Sequence, residues 1–186
     1  MSTNAGLFSS SLGKKYLMAI TGLFLCSFLI IHFLGNIALF TNPVQFNEYT
    51  RFMSSNPIIR VMEIVLVLGF LTHIIDAIIL TRANKKAQPV KYAMNKNKSS
   101  WYSRNMGLTG TIILVFLILH LQSFWYEYKF GEVLMTVDSN GNEIKDMFTI
   151  VKTAFSEWWY SAIYILAMIL LGSHLNHGFQ SAFQSV

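Results

Sequence analysis

Four stretches of this chain are apolar for about twenty residues or more, and each places histidine where hydrocarbon would surround it. At a rise of 1.5 Å per residue, about 20 residues cross the ~30 Å apolar core of a bilayer. The stretches near 16–40, 60–81, 105–126 and 158–180 therefore predict four membrane-crossing helices. The expected fold is all-α, a transmembrane helical bundle formed as one domain over residues 1–186.

Composition agrees: 53% of the residues are hydrophobic and 12% charged, against about 25% charged in an ordinary soluble domain. The net charge of +5 lies in connecting segments rather than along a groove, so it reads as membrane topology and not as a nucleic-acid surface. Residues 82–104 hold seven Lys or Arg and no acid, whereas 127–157 hold six acids and three lysines. The positive-inside bias places 82–104 in the cytoplasm, and helix count then places the N-terminus, with Lys14 and Lys15, inside as well. Segments 41–56 and 127–157 are expected as outer loops. The first is punctuated by Asn42-Pro43 and Asn56-Pro57, and the second contains a turn at 138–141. Trp101-Tyr102, Trp125-Tyr126 and Trp158-Trp159-Tyr160 fall at expected helix ends, where aromatic rings favour the interface. No cleavable leader is expected, because the first apolar run is too long and no small-residue cleavage site follows it. The single cysteine, Cys26, makes neither an intrachain disulfide nor an iron–sulfur cluster.

All five histidines fall inside the apolar runs. Helix rise assigns each a height. His32 and His120 lie roughly 6–7 Å to the outer side of their helix centres, His73 and His174 roughly 4–7 Å to the inner side, and His177 roughly 12 Å inward. Two levels result: His32 with His120, and His73 with His174. A lone intramembrane histidine has an ordinary explanation, a hydrogen bond across a helix interface. One from each of four helices in two matched levels suits a different purpose, because a flat macrocycle takes one imidazole from each side at the same height. Bis-histidine ligation fills both axial positions of a haem iron and leaves a centre that passes electrons. Gly35 and Asn36, Gly69, and Gly178 share helix faces with His32, His73 and His174, and so permit close approach. His177 is surplus to the two levels and is expected to be structural or a hydrogen-bonding neighbour of the inner ring. Asp76, three residues after His73, either serves a ligand or a proton, or reaches the inner headgroups or a loop lysine; the second is favoured. Arg60 and Glu63, three apart, are expected to pair on the surface, with a quinone or haem-propionate site as the alternative; Arg51 is a further candidate there.

The segments FLIIHFLGN around His32, NPIIRVMEI opening the second helix, GFLTHIIDA around His73, LILHLQ around His120 and GSHLNHGFQSAF around His174 resemble the di-haem cytochrome b membrane anchor of bacterial succinate:quinone oxidoreductases. The resemblance runs from about residue 10 to the end. It implies two haem b groups, one held by His32 and His120 and one by His73 and His174, with His174 rather than His177 as the fourth ligand. It implies a non-catalytic electron-transfer subunit of a succinate dehydrogenase in a bacterial inner membrane. A flavoprotein subunit and an iron–sulfur subunit would sit on the cytoplasmic face, and electrons would pass to a quinone, menaquinone by the habit of such relatives. Two departures stand out: the outer segment before the fourth helix is long, and the family's fifth membrane helix is not in this sequence. Alternatives are a fumarate reductase anchor, a di-haem cytochrome of the nitrate reductase or formate dehydrogenase type, and, from another class, a haem-free proton-coupled transporter using the histidines and Asp76. The last lacks the broken helices and repeated halves such proteins show.

Overall fold

The structure, a computed structural model, describes residues 10–87 and 105–185. Helix α1 is Ser11–Asn36 and runs on through a 3-10 turn, Ile37–Phe40. It is followed by α2 (Pro43–Ser55), α3 (Pro57–Ala87) and α4 (Met106–His120). A π-helical segment, Leu121–Tyr126, carries α4 into α5 (Glu127–Phe130). A two-stranded hairpin (β1, Met135–Val137; β2, Glu143–Lys145) leads to α6 (Met147–Ser156) and α7 (Trp158–Ser185).

Among the described residues, four helices are long and apolar enough to cross a membrane: Leu12–Phe40, Pro57–Ala87, Met106–Phe130 and Trp158–Phe183. Only 6–11% of the residues in their most apolar windows are buried inside the protein. Ile30, Phe33, Ile58, Ile64, Ile165 and Ile169 each expose 62–73% of their surface, which in water would be a severe aggregation liability and in lipid is the ordinary state. The chain is a multi-pass, all-α membrane protein.

The segments 41–56 and 127–157, expected as loops, are mostly regular structure. The two Asn-Pro pairs start helices rather than punctuate a loop. Asn42 accepts hydrogen bonds from the N–H groups of Val44 (2.9 Å) and Gln45 (3.3 Å), with Pro43 in the first helical position. Asn56 does the same for Ile58 and Ile59, with Pro57 following it. An Asn cap satisfies otherwise orphaned N–H groups, and proline at the next position loses nothing because its missing donor had no partner there. Hence α3 begins at Pro57, three residues before the expected start, and continues to Ala87. Trp101-Tyr102 and most of the basic stretch lie outside the described residues.

Contacts divide the chain into two compact units. One comprises 1–27, 65–111 and 171–186 and contains His73, Asp76, His174 and His177; the other comprises 28–64 and 112–170 and contains His32 and His120. In the first, the buried residues are small or polar: Ala19, Thr21, Asp76, Thr109 and Ala182. Small side chains let membrane helices approach closely, which is how they gain dispersion energy without a hydrophobic drive. The second unit has an aromatic core of Phe46, Phe124 and Met147, packed by Tyr128, Phe148, Tyr160 and Tyr164 among others.

Polar ties join the short elements of the second unit. Asn47, 3% exposed, donates to the Asp146 carboxylate (2.9 Å) and accepts from the Phe148 N–H (2.8 Å), coupling α2 to the start of α6. Asp146 also caps α6 through Thr149. Burial pushes the Asp146 carboxyl up, but the bonds from Thr149, Asn47 and the backbone outweigh it, and the group sits below its usual range. The hairpin tip is held by Asp138, which accepts from Asn142 and the Asn140 N–H and pairs with Arg51 at 2.8 Å. The Asn142 bonds lead the causes that hold Asp138 low. Gly141 has φ of +80°, a conformation this tight turn needs and a side chain would oppose.

Candidate functional site

In the second unit the imidazoles of His32 (α1) and His120 (α4) meet with ring centroids 5.7 Å apart and planes at 79°. His32 stacks on Phe28 at 5.4 Å and is exposed. His120 is more enclosed, among Phe116, Phe124 and Tyr164. Its Nδ1 lies 3.0 Å from the Tyr164 hydroxyl, which in turn lies 3.1 Å from that of Tyr160. The π-helical segment begins directly after His120. Such segments add a residue to one turn and rotate all that follows, a common device beside functional side chains.

In the first unit the His73 ring lies against α1: a Cβ placed on Gly22 would stand 3.5 Å from His73 Cε1. His73 Nδ1 is 3.1 Å from Thr21 Oγ1. The His174 ring lies against α4 in the same way, 3.5 Å from a Cβ placed on Gly110. Its Nδ1 is buried without a hydrogen-bond partner, a costly state for a polar atom. His177 is half-buried.

The glycines singled out by helix-face spacing serve other neighbours. A Cβ on Gly35 would collide with the Tyr49 ring and one on Gly69 with Phe24, while Gly178 faces Met106. The glycines against histidine are Gly22 and Gly110. Their signal was in the sequence, since each precedes a histidine of its own helix by ten positions, but nothing in that spacing says that the ring it meets belongs to another helix.

Asp76 is 4% exposed and its Oδ2 has no hydrogen-bond partner. Its position favoured a reach to the inner headgroups or to a lysine outside the apolar run. Lys14 is close enough to interact with it electrostatically. Arg60 and Glu63 pair as their spacing indicates, at 2.6 Å. Glu63 also accepts from Lys129 (2.8 Å) and from the Trp125 ring N–H (2.6 Å), so it is the centre of a four-residue cluster. Arg51 is not part of it, being engaged with Asp138. An open apolar recess of about 560 Å³ lies along α7, lined by Phe155, Ser161, Tyr164, Ile165, Met168 and Ile169.

Among the described residues no three His, Cys, Asp or Glu side chains gather as a metal site. The donors come in imidazole pairs. A bare metal ion wants three or four protein ligands, whereas a haem iron takes four donors from its macrocycle and needs only two more. The facing pair His32–His120 fits that group. Comparison of the chain with protein-family models, with curated proteins and with solved structures returned no match.

Proposed function

We propose that this protein is a membrane-anchor cytochrome b that binds two haem b groups, one through His32 and His120 and one through His73 and His174. The observation that carries the reading is the facing of His32 and His120 at 5.7 Å across two membrane helices. The membership of His73 and His174 together in the other compact unit supports it. Haem held by two histidines would supply one-electron transfer and leave no site for a substrate. The chain's own residues then hold the rings, set the polarity around them and keep water out. Of the functions open to such a centre, relay of electrons from a flavoprotein and an iron–sulfur subunit to a quinone, as in succinate dehydrogenase, accords with the sequence motifs around the histidines.

On this reading the protein lies in a bacterial inner membrane with its N-terminus and basic segment inside, and the two partner subunits dock on that face. Glu63, with Arg60, Lys129 and Trp125, offers donors and an acceptor for a quinone or a haem carboxylate, and the apolar recess along α7 offers room for an isoprenoid tail. A fumarate reductase anchor would use the same chain in the reverse direction. One observation favours a second class, a haem-free proton-coupled transporter: the buried Asp76, whose Oδ2 has no hydrogen-bond partner. A reduced-minus-oxidised absorption spectrum of the purified protein separates the two. Two b-type signals, with a flavin-bearing subunit retained through mild purification, support the cytochrome; a colourless protein refutes it.

A further inference from the structure

Each histidine pair contains one ring whose Nδ1 meets a hydroxyl from a different helix, and the chemistry of that contact fixes the ring's proton. Thr21 Oγ1 lies 2.8 Å from the Leu17 carbonyl and 3.2 Å from that of Met18, on its own helix. A threonine hydroxyl has one proton, and here it is committed to those backbone acceptors. The 3.1 Å contact with His73 must therefore run the other way, with Nδ1–H donating to the Thr21 oxygen. That leaves the lone pair of His73 on Nε2. Tyr164 stands in the same relation to His120 at 3.0 Å, and Tyr160 at 3.1 Å can take the Tyr164 proton in turn. When Nε2 of His120 is given to a metal, the ring's only proton is on Nδ1 and Tyr164 accepts it.

We propose that Thr21 and Tyr164 are positioning residues that hold His73 and His120 as Nδ1–H tautomers, orient Nε2 toward iron and tune one haem each. The proposal rests on the reading of the protein as a di-haem cytochrome. A ring N–H that donates to an acceptor makes the imidazole a stronger electron donor. Such donation would favour the ferric state of a haem held there and so lower its midpoint potential. The anchoring is one-sided, because His174, the partner of His73, has a buried Nδ1 with no such acceptor.

Spectroelectrochemical titration of the purified haem-loaded protein tests this. Thr21→Val, which keeps the side chain's shape, is expected to raise the potential of one haem and leave the other in place. Tyr164→Phe is expected to raise the other and leave the first. Thr21→Ser, which restores a hydroxyl, is expected to return the wild-type potential. Loss of one haem in Thr21→Val that Thr21→Ser recovers also supports the assignment, since valine fills the same space. Two retained haems with unmoved potentials in both variants, or a single variant that moves both haems equally, overturn it. A colourless wild type overturns the underlying reading and this assignment together.

Discussion

At the scale of the residue, the strongest constraint is a buried polar atom and what it meets. Asn47 uses both ends of its amide, one on Asp146 and one on the Phe148 N–H. Asn47→Ala leaves that N–H and part of the carboxylate unsatisfied, and is expected to cost about 1–3 kcal/mol, read as a lower melting temperature in detergent. The same carboxylate gives a pH dependence. Its folded value lies below its unfolded value of about 3.9, because the bonds from Thr149 and Asn47 outweigh burial. Its contribution is therefore complete above the unfolded value and is lost as pH falls through the folded one. A melting series from pH 7 to pH 3 should show a fall at the acid end that Asp146→Asn reduces; equal falls in both proteins would contradict this. Residue types told the sequence reader where histidine sits but not what each ring touches. Thr21 and Tyr164 were invisible because a threonine or tyrosine in an apolar run has many uses, and only the three-dimensional contact with His73 or His120 distinguishes this one.

At the scale of the element, the four long helices were legible and the short ones were not. Apolar length alone marks a membrane crossing, and the helices at Leu12–Phe40 and Trp158–Phe183 fall close to the expected 16–40 and 158–180. Helix α2 was hidden by its polarity, since its sequence PVQFNEYTRFMSS has no apolar run to announce it. Its start was nonetheless written in Asn42-Pro43, which reads as a cap plus first-turn proline as readily as a loop boundary. Asn42→Ala removes the acceptor for Val44 and Gln45 and is expected to destabilise α2 by about 0.5–2 kcal/mol, with faster amide exchange over its first turn as the readout. The π-helical segment after His120 had no sequence signal of its own. Trp125, within it, donates its ring N–H to the Glu63 carboxylate.

At the scale of the whole molecule, the chain divides its histidines between two compact units, two candidate ligands to each, with His177 beside His174. Counting residues along straight apolar helices gives height even when rotation is unknown, and His32 and His120, set at one height by that count, meet in the structure. The orientation in the membrane follows from charge rather than from contacts. A single cysteine at Lys86, in a Cys26→Ser background, should react with an impermeant thiol reagent only from the cytoplasmic side, and one at Glu132 only from the other. Labelling of the Lys86 position only from the outer side and of the Glu132 position only from the cytoplasmic side would reverse the proposed arrangement of partners. The central claim is tested most directly by haem counting against protein in the wild type, His120→Ala and His73→Ala. The expected result is two haem b per chain in the wild type and one in each variant, with different absorption bands surviving in the two. A wild type without haem, or a variant that loses both or neither, would contradict the account.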